Sequence, residues 1–596
     1  MKVRISLCVT MAAMSASLCL AQMDASASTE RVDERRLGPV PDDALHEEAT
    51  RFGEHIAWLV RRGDKSLVIV DGREGPGYDE IGVWKPQPAP IPEVLKRMPG
   101  DQVKVLQSVD DSWVKWVQFS PSGGRWAYRA RRGAKWFAVI DGQESPAYDE
   151  VTLPEFSGDG RRVVYTARRD DQWSIVVDGK ASPAYDYVSS RCFSADGRHF
   201  AHIATRGQSE FVVADGKEGN PYDSVRDIVF SADGRRMAYC GKRGHEQFAV
   251  FDGEEGPGYR WIGELEFSPD GAHTAYRAMR GESFVMVIDR KEGPEYDAID
   301  TDPILKKPVF GPKGNRTAYR ARRGDKWFVV VDGQESSSYD DVSCLEFSPN
   351  GRHVAYSAKT QGGEFVVMDG IPGPEYDTTQ KLQFSADGER WLYEAYEGRT
   401  GRVVLDGQPG PEYGALYQVG FSPTGGHFAY VAVATTKLFM IVDGDVKPSY
   451  DGVGLSGFSP DGERFAYAAR KDEKHFMVVD GREGPRFDEV LIPRFSPDSR
   501  RLAYWAREGD RELVVVDGQP GQGYDEVEKG TILFSADSKH VLYRARQGEK
   551  GVIVLNGREG PACDRIIGYR PAFQNGGTIE YLGVRDGVLY RITQRP

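Results

Sequence analysis

Residues 343–379 read SCLEFSPNGRHVAYSAKTQGGEFVVMDGIPGPEYDTT, and this stretch decides the fold. Ser343 to Ser348 is a short apolar strand ending at Phe347. Pro349-Asn350-Gly351 is a turn, with glycine supplying the positive φ. His353 to Ala358 alternates around Ala355 and Tyr356. Thr360 to Gly363 turns again, and Glu364 to Met368 runs into Asp369-Gly370, a hairpin-type turn. Pro374-Glu375-Tyr376-Asp377 begins a short fourth strand. Period-two patterning cut by glycine-containing turns is antiparallel β, and no segment sustains a helical period.

The unit recurs along the chain. The Asp of an Asp-Gly pair after an apolar run falls at 71, 141, 178, 215, 252, 332, 369, 406, 443, 480 and 517, with Asp289 and Asn556 as degenerate members. The common spacing is 37 residues. A second marker, Phe before Ser or a related turn, falls at 119, 156, 193, 230, 267, 347, 384, 421, 458, 495 and 534, with Phe310 and Phe573 as weaker copies and Ala49 in an eroded first one. Fourteen copies fill the chain beyond residue 27 and leave no stretch for a separate catalytic domain.

Four short strands repeated at about 40 residues make one propeller blade. The fold class expected is all-β, with fourteen four-stranded blades of 37 residues. Propellers commonly close with about 4–8 blades, so two tandem β-propellers follow, split 7+7 or 6+8, with one very large ring as the alternative. Residues 28–43 form an N-terminal segment able to supply a closing strand, because the last copy ends after its third strand near Ile592. An N-terminal propeller spans 44–304 with an insertion at 85–118, and a C-terminal one spans 305–596, the boundary lying within 300–343.

Ser268-Pro269-Asp270-Gly271 with Ala275-Tyr276, and Ser459-Pro460-Asp461-Gly462 with Ala466-Tyr467, resemble the WD40-like propeller repeat of the TolB type, also called PD40. The likeness covers nearly the whole chain after residue 27. The chain departs from that pattern in its constant Asp-Gly-x-Glu-Gly-Pro-x-Tyr-Asp segment, as at Asp480 to Asp488. The resemblance implies protein–protein contact in a bacterial periplasm or at the cell surface. It specifies fold far more than function, since propellers host many roles.

Lys2 and Arg4 precede an uncharged apolar or small run from Ile5 to Ala21, and Ala25-Ser26-Ala27 fits a cleavage pattern. Residues 1–27 therefore read as a secretory signal peptide, and the protein is expected to be secreted or periplasmic with no transmembrane segment after cleavage. The net charge of −13 becomes −14 without Lys2, Arg4 and Asp24, which argues against nucleic acid as partner. Aromatics make up 11% of the chain, enough to bury a core, and six Cys exclude a disulfide scaffold. Cys192, Cys240, Cys344 and Cys563 sit at unlike places in the repeat and read as small buried residues.

A residue present in every blade is scaffold before it is chemistry. Phe347, Tyr356 and their equivalents are expected to pack between blades, and Asp369-Gly370 and its equivalents to shape a turn. The turns joining strands 1–2 and 3–4 share one face, which should be acidic. The strand 2–3 tips share the other, and many are basic: Arg61, Arg62, Arg131, Arg132, Arg168, Arg169, Arg206, Arg243, Arg322 and Arg323. These arginines are the binding candidates, offered to an anionic protein or envelope component. Trp113 and Trp116 in the insertion are further candidates, because tryptophan is favoured at binding hot spots.

Catalytic motifs are missing. Gly454-Leu455-Ser456-Gly457 only approaches a nucleophile elbow, and His46-Glu47-Glu48 is not a zinc helix. No cofactor, metal or catalytic residue is assigned. The expected function is an exported, non-enzymatic binding or scaffold protein. The alternative is a propeller lyase or hydrolase acting on a glycan or small molecule through unrepeated side chains at a central channel.

Overall fold

The computed structural model describes residues 32–41, 44–49, 55–82, 116–300 and 310–596. They form fourteen antiparallel sheets of four strands, three of them with the first strand broken in two. These are the fourteen copies of the repeat, arranged as blades in a ring.

One blade shows how the sequence builds it. In blade 8 the strands are Asp341–Phe347, Val354–Thr360, Gly363–Met368 and Ile371–Pro372. The fourth strand therefore starts directly at the Asp369-Gly370 turn rather than at Pro374, and Tyr376 then bridges back to Glu364. Asp369 and Gly370 both take positive φ, 48° and 81°, the geometry of a tight turn that matches strand twist. Asp tolerates this region, and its carboxylate earns its place by a second bond: Val354 N–H donates to Asp369 Oδ1 at 2.9 Å. In the first turn, Ser348 Oγ donates to Asn350 Oδ1 and accepts from His353 N–H, so a fully buried hydroxyl is satisfied twice.

Hydrophobic clusters join each blade to the next. Tyr356 and Ala358 of blade 8 pack on Val329 and Tyr339 of blade 7, and Tyr393 and Ala395 of blade 9 pack on Ala355 and Tyr376 of blade 8. The cluster of Ala275, Met286 and Tyr296 with Ile299, Tyr319 and Ala321 spans the place where residues 301–309 interrupt the period. Ile56, Trp58 and Val60 of blade 1 pack against Ile567, Leu582 and Leu589 of blade 14. Phe347 lies under the Arg316 guanidinium of blade 7, 5.8 Å from its ring centre. The repeated Phe and Tyr thus do stand between blades.

The N-terminal segment completes the last blade. Val32–Pro39 pairs antiparallel with Val588–Gln594, from Val32 opposite Gln594 to Pro39 opposite Val588. Val32 packs into the cluster of blades 13 and 14, and Leu37 into that of blades 14 and 1. The first described strand and the last strand of the chain therefore share one sheet.

Several neighbouring first strands approach one another, as Tyr187–Phe193 does Ser224–Phe230 and Gly452–Phe458 does Glu489–Phe495, and among the described residues no fourth strand comes comparably near its neighbour's. Blades therefore converge on their first strands, which face the ring's interior. These inner strands carry bulges that interrupt pairing, for example between Ser343 and Glu346 and between Gln380 and Gln383. A bulge blunts an edge that would otherwise template foreign strands.

Candidate functional site

The tip arginines come first. In blade 5, Arg243 Nη1 and Nη2 donate to the two oxygens of Glu255 at 3.2 and 3.1 Å. Tyr222 of blade 4 donates its hydroxyl to Glu255 at 2.7 Å, and the guanidinium lies 4.8 Å from the Tyr222 ring centre. Burial first, and then this hydrogen bond, push the Tyr222 phenol well above its usual range. The same clasp joins Tyr78, Arg132 and Glu144; Tyr185, Arg206 and Glu218; and Tyr296, Arg323 and Glu335. In blade 3 the Glu is replaced by Ala181, and Arg169 instead donates to Ala147 O while covering Tyr148 at 5.0 Å. Arg62 pairs with Glu74 in blade 1.

The expected separation into an acidic and a basic face fails for a geometric reason. The Glu of the Asp-Gly-x-Glu turn reaches back along the blade to the tip arginine. The Asp of the Tyr-Asp link does the same for backbone: Asp223 Oδ2 accepts from Gly244 N–H, and Asp186 Oδ2 from Gly207 N–H. On the opposite face the Asp of each Asp-Gly turn holds an arginine or a histidine. Arg236 Nε donates to Asp252 Oδ2 at 2.9 Å and Nη1 to Ala272 O of the next blade. His273 Nδ1 takes the arginine's place, 2.6 Å from Asp289 Oδ2.

Of the first arginines at the tips, Arg131 pairs with Glu80, and Arg168 with Glu150 and Asp171. Arg322 differs. Its cross-strand neighbour is Ala298, where blade 2 has Glu80. Among the described residues it meets no carboxylate; it donates to Gly324 O and lies 5.9 Å from the Trp327 ring centre. Arg61 is exposed at the blade 1 tip. Trp116 is buried, 2% exposed, between blades 1 and 2, so it is core. Trp113 and most of the insertion lie outside the described residues.

A cluster that the repeat analysis missed lies on the first two strands of blade 9 and the first strand of blade 10. Glu394 is 1% exposed at its side chain, on the second strand of blade 9, Trp391–Glu397. The equivalent position holds Arg277, Arg320 or Arg544 in other blades, and each of those donates to a carbonyl of the next blade. Glu394 is held differently. Lys381 Nζ donates to Glu394 Oε1 at 2.8 Å, and Tyr396 OH donates to Oε2 at 2.7 Å. Lys381 stands in the inner-strand bulge with φ of 52°, and its side chain is half exposed. Burial first, then the Glu394 bond, raise the Tyr396 phenol, and Tyr417 of blade 10 adds to the rise. Tyr417 is 54% exposed, and Gln418 beside it donates to Gly454 O of blade 11 and accepts from Ser456 Oγ. The signal that would have found this cluster is departure from the repeat: a Glu where other copies carry Arg or an uncharged residue.

Cys192, Cys240, Cys344 and Cys563 are unpaired among the described residues. Among the described residues no group of His, Cys, Asp or Glu is placed to hold a metal ion.

No family model matches the chain, and no curated protein does. Solved structures similar to it include the β-propeller domain of Swd1 from Myceliophteria thermophila, at 13% identity and TM-score 0.20 over 42% of this chain and 95% of that one. Another is the β-propeller domain of the trilobed protease from Pyrococcus furiosus, at 14% and 0.19 over 50% and 96%. The Dos1 propeller is similar at 12% and 0.21 over 67% and 91%. These scores carry no functional argument, and the propeller fold rests on the chain's own blades.

Proposed function

We propose that the protein is an exported, non-enzymatic binding or scaffold protein whose blades form one continuous ring and engage an anionic protein or envelope component. The reading of export draws on Lys2, Arg4 and the apolar run to Ala21, which lie outside the described residues. Cleavage after Ala27 would leave the closing strand, which starts at Val32, intact. One continuous ring, rather than a 7+7 or 6+8 pair, is supported by the packing of blade 14 on blade 1 and by the unbroken cluster between blades 6 and 7. Low-resolution electron microscopy of the purified chain tests it, since two separate rings per particle would refute it.

The observation that carries the binding reading is Arg322. It is a tip cation with its guanidinium against an indole and no carboxylate among the described residues. Arg131 and Arg168 spend their charge on acids of their own blades, so they serve the partner less. The test is affinity capture from the native envelope fraction over a salt series. Arg322→Glu should weaken capture and flatten its salt dependence. Capture unchanged by Arg322→Glu removes the basic rim from the proposal.

A further inference from the structure

We propose that the inner edge of blades 9 and 10, around Tyr417, Gln380 and the Lys381–Glu394–Tyr396 trio, is a binding site for a neutral sugar ring of a glycan. It rests on the reading of the chain as a binding ring and names a ligand class for a second place on it.

The argument begins with what is unrepeated. Side chains present in most blades are consumed in the clasps between them. Gln380 is the cross-strand partner of Glu394 and is exposed. No hydrogen bond holds its carboxamide among the described residues, so it offers both a donor and an acceptor. Tyr417 is one of few large apolar side chains on the surface, 54% exposed, on an inner strand rather than in an outer loop. Gln383 of blade 9 donates to Val419 O of blade 10 at 3.2 Å, so the inner strands that carry Gln380 and Tyr417 lie side by side, and an exposed aromatic ring near polar groups suits a ligand with one apolar side and a polar rim.

Charge then selects among ligands. The Lys381 ammonium and the Glu394 carboxylate are bonded to each other at 2.8 Å, so together they carry no net charge. An anion approaching Lys381 meets the Glu394 charge directly behind it, and a cation meets Lys381 first. A neutral ligand with several hydroxyls avoids both penalties. Its hydroxyls can accept from the remaining Lys381 protons and exchange both kinds of bond with Gln380, while its C–H face lies on Tyr417. Gln418 is fixed by blade 11 at both ends, so it holds the Tyr417 strand in place rather than reaching for the ligand.

The experiment titrates the full mature chain calorimetrically with neutral hexasaccharides of glucose, mannose and N-acetylglucosamine, and with an oligogalacturonate as the anionic arm. At least one neutral probe should bind. Tyr417→Ala should weaken it about tenfold or more, Tyr417→Phe should keep it, and Gln380→Ala should weaken it by a smaller factor. Both positions are exposed, and a thermal melt confirms that each variant is folded. No neutral probe bound at millimolar concentration, binding unchanged in Tyr417→Ala, or tighter binding of the anionic probe would each overturn the site. Envelope capture measured on Tyr417→Ala separates this from the wider reading: capture retained with glycan binding lost leaves both proposals standing, and capture absent in wild type as well as in Tyr417→Ala sinks the wider one alone.

Discussion

Tyr222 and Arg243 belong to successive blades, and the guanidinium of one lies 4.8 Å from the ring centre of the other while both hold the carboxylate of Glu255. The cation–π pair and the Tyr222–Glu255 hydrogen bond cross the blade boundary, and two further charge-assisted bonds from Arg243 to Glu255 lie within blade 5. Its repetition explains why Arg, Tyr and Glu recur together in a chain whose net charge is negative. The clasp is a mechanical part of the ring, and it engages the arginines that take part in it.

Blade 3 is a natural deletion of this clasp. Arg169 already covers Tyr148 at 5.0 Å, and the missing acid is at Ala181. Ala181→Glu should therefore raise stability by roughly 0.5–1 kcal/mol, the scale of a part-exposed ion pair. Chemical denaturation monitored by tryptophan fluorescence reads the gain, and high salt should reduce it.

His202 stands where other blades carry the buried tyrosine of the second strand. It is 3% exposed among Tyr185, Phe200 and Phe211, and neither ring nitrogen has a hydrogen-bond partner. Burial pushes its pKa down to about 4. Because the folded value lies below the unfolded one, the stability is fully present above about pH 6.5 and is lost as the pH falls towards 4. The loss at pH 4 is on the order of 3 kcal/mol. His202→Tyr should flatten the fall of melting temperature between pH 7 and pH 4. A pH profile identical to that of wild type would show that His202 is not responsible.

The closing strand should be essential to integrity rather than decorative. Without Val32–Pro39, the edge of Val588–Gln594 lies open and Val32 and Leu37 leave their clusters. A mature chain truncated to begin at residue 40 should melt several degrees lower, by roughly the shift a few kcal/mol produces in a large domain. It should also self-associate through the exposed edge, which light scattering would detect. Charge exchange gives a milder test. Arg585→Glu breaks the pair with Glu34, and adding Glu34→Arg should recover part of the loss.

The thiols should be slow to react in the folded protein. Burial raises the thiols of Cys192 and Cys240, and it raises Cys563 to about 11. Cys240 and Cys563 should label with a disulfide reagent only after denaturant is added, and reducing agent should leave the melting temperature unchanged. Prompt labelling of Cys563 in buffer would contradict its packing between blades 13 and 14.

Much of the ring was legible in the chain. The 37-residue period, the two turn chemistries and the alternation around Tyr356 led to fourteen four-stranded blades because each depends on local rules: strand period, tolerance of positive φ, and the Ser and Asp bonds that close a turn. The last copy's missing fourth strand was likewise countable, and Val32–Pro39 fills it. The fate of the tip arginines was not legible. Arg132, Arg206 and Arg323 look free in sequence, and the carboxylates that engage them are supplied by another strand of the blade, with the tyrosine beneath coming from the blade before.

The amino-acid sequence by itself determined the blade, its number of copies and the shortage of its last one, because repeats report local structure directly. Only the tertiary structure decided which charges are spent and which remain. Among the described residues Arg322 meets no acid, because Ala298 lies across from it, and Glu394 is buried because Lys381 and Tyr396 close over it. Pairing of this kind is set by distance in the folded chain, and a carboxylate several strands away in sequence gives no periodic signal of where it will point.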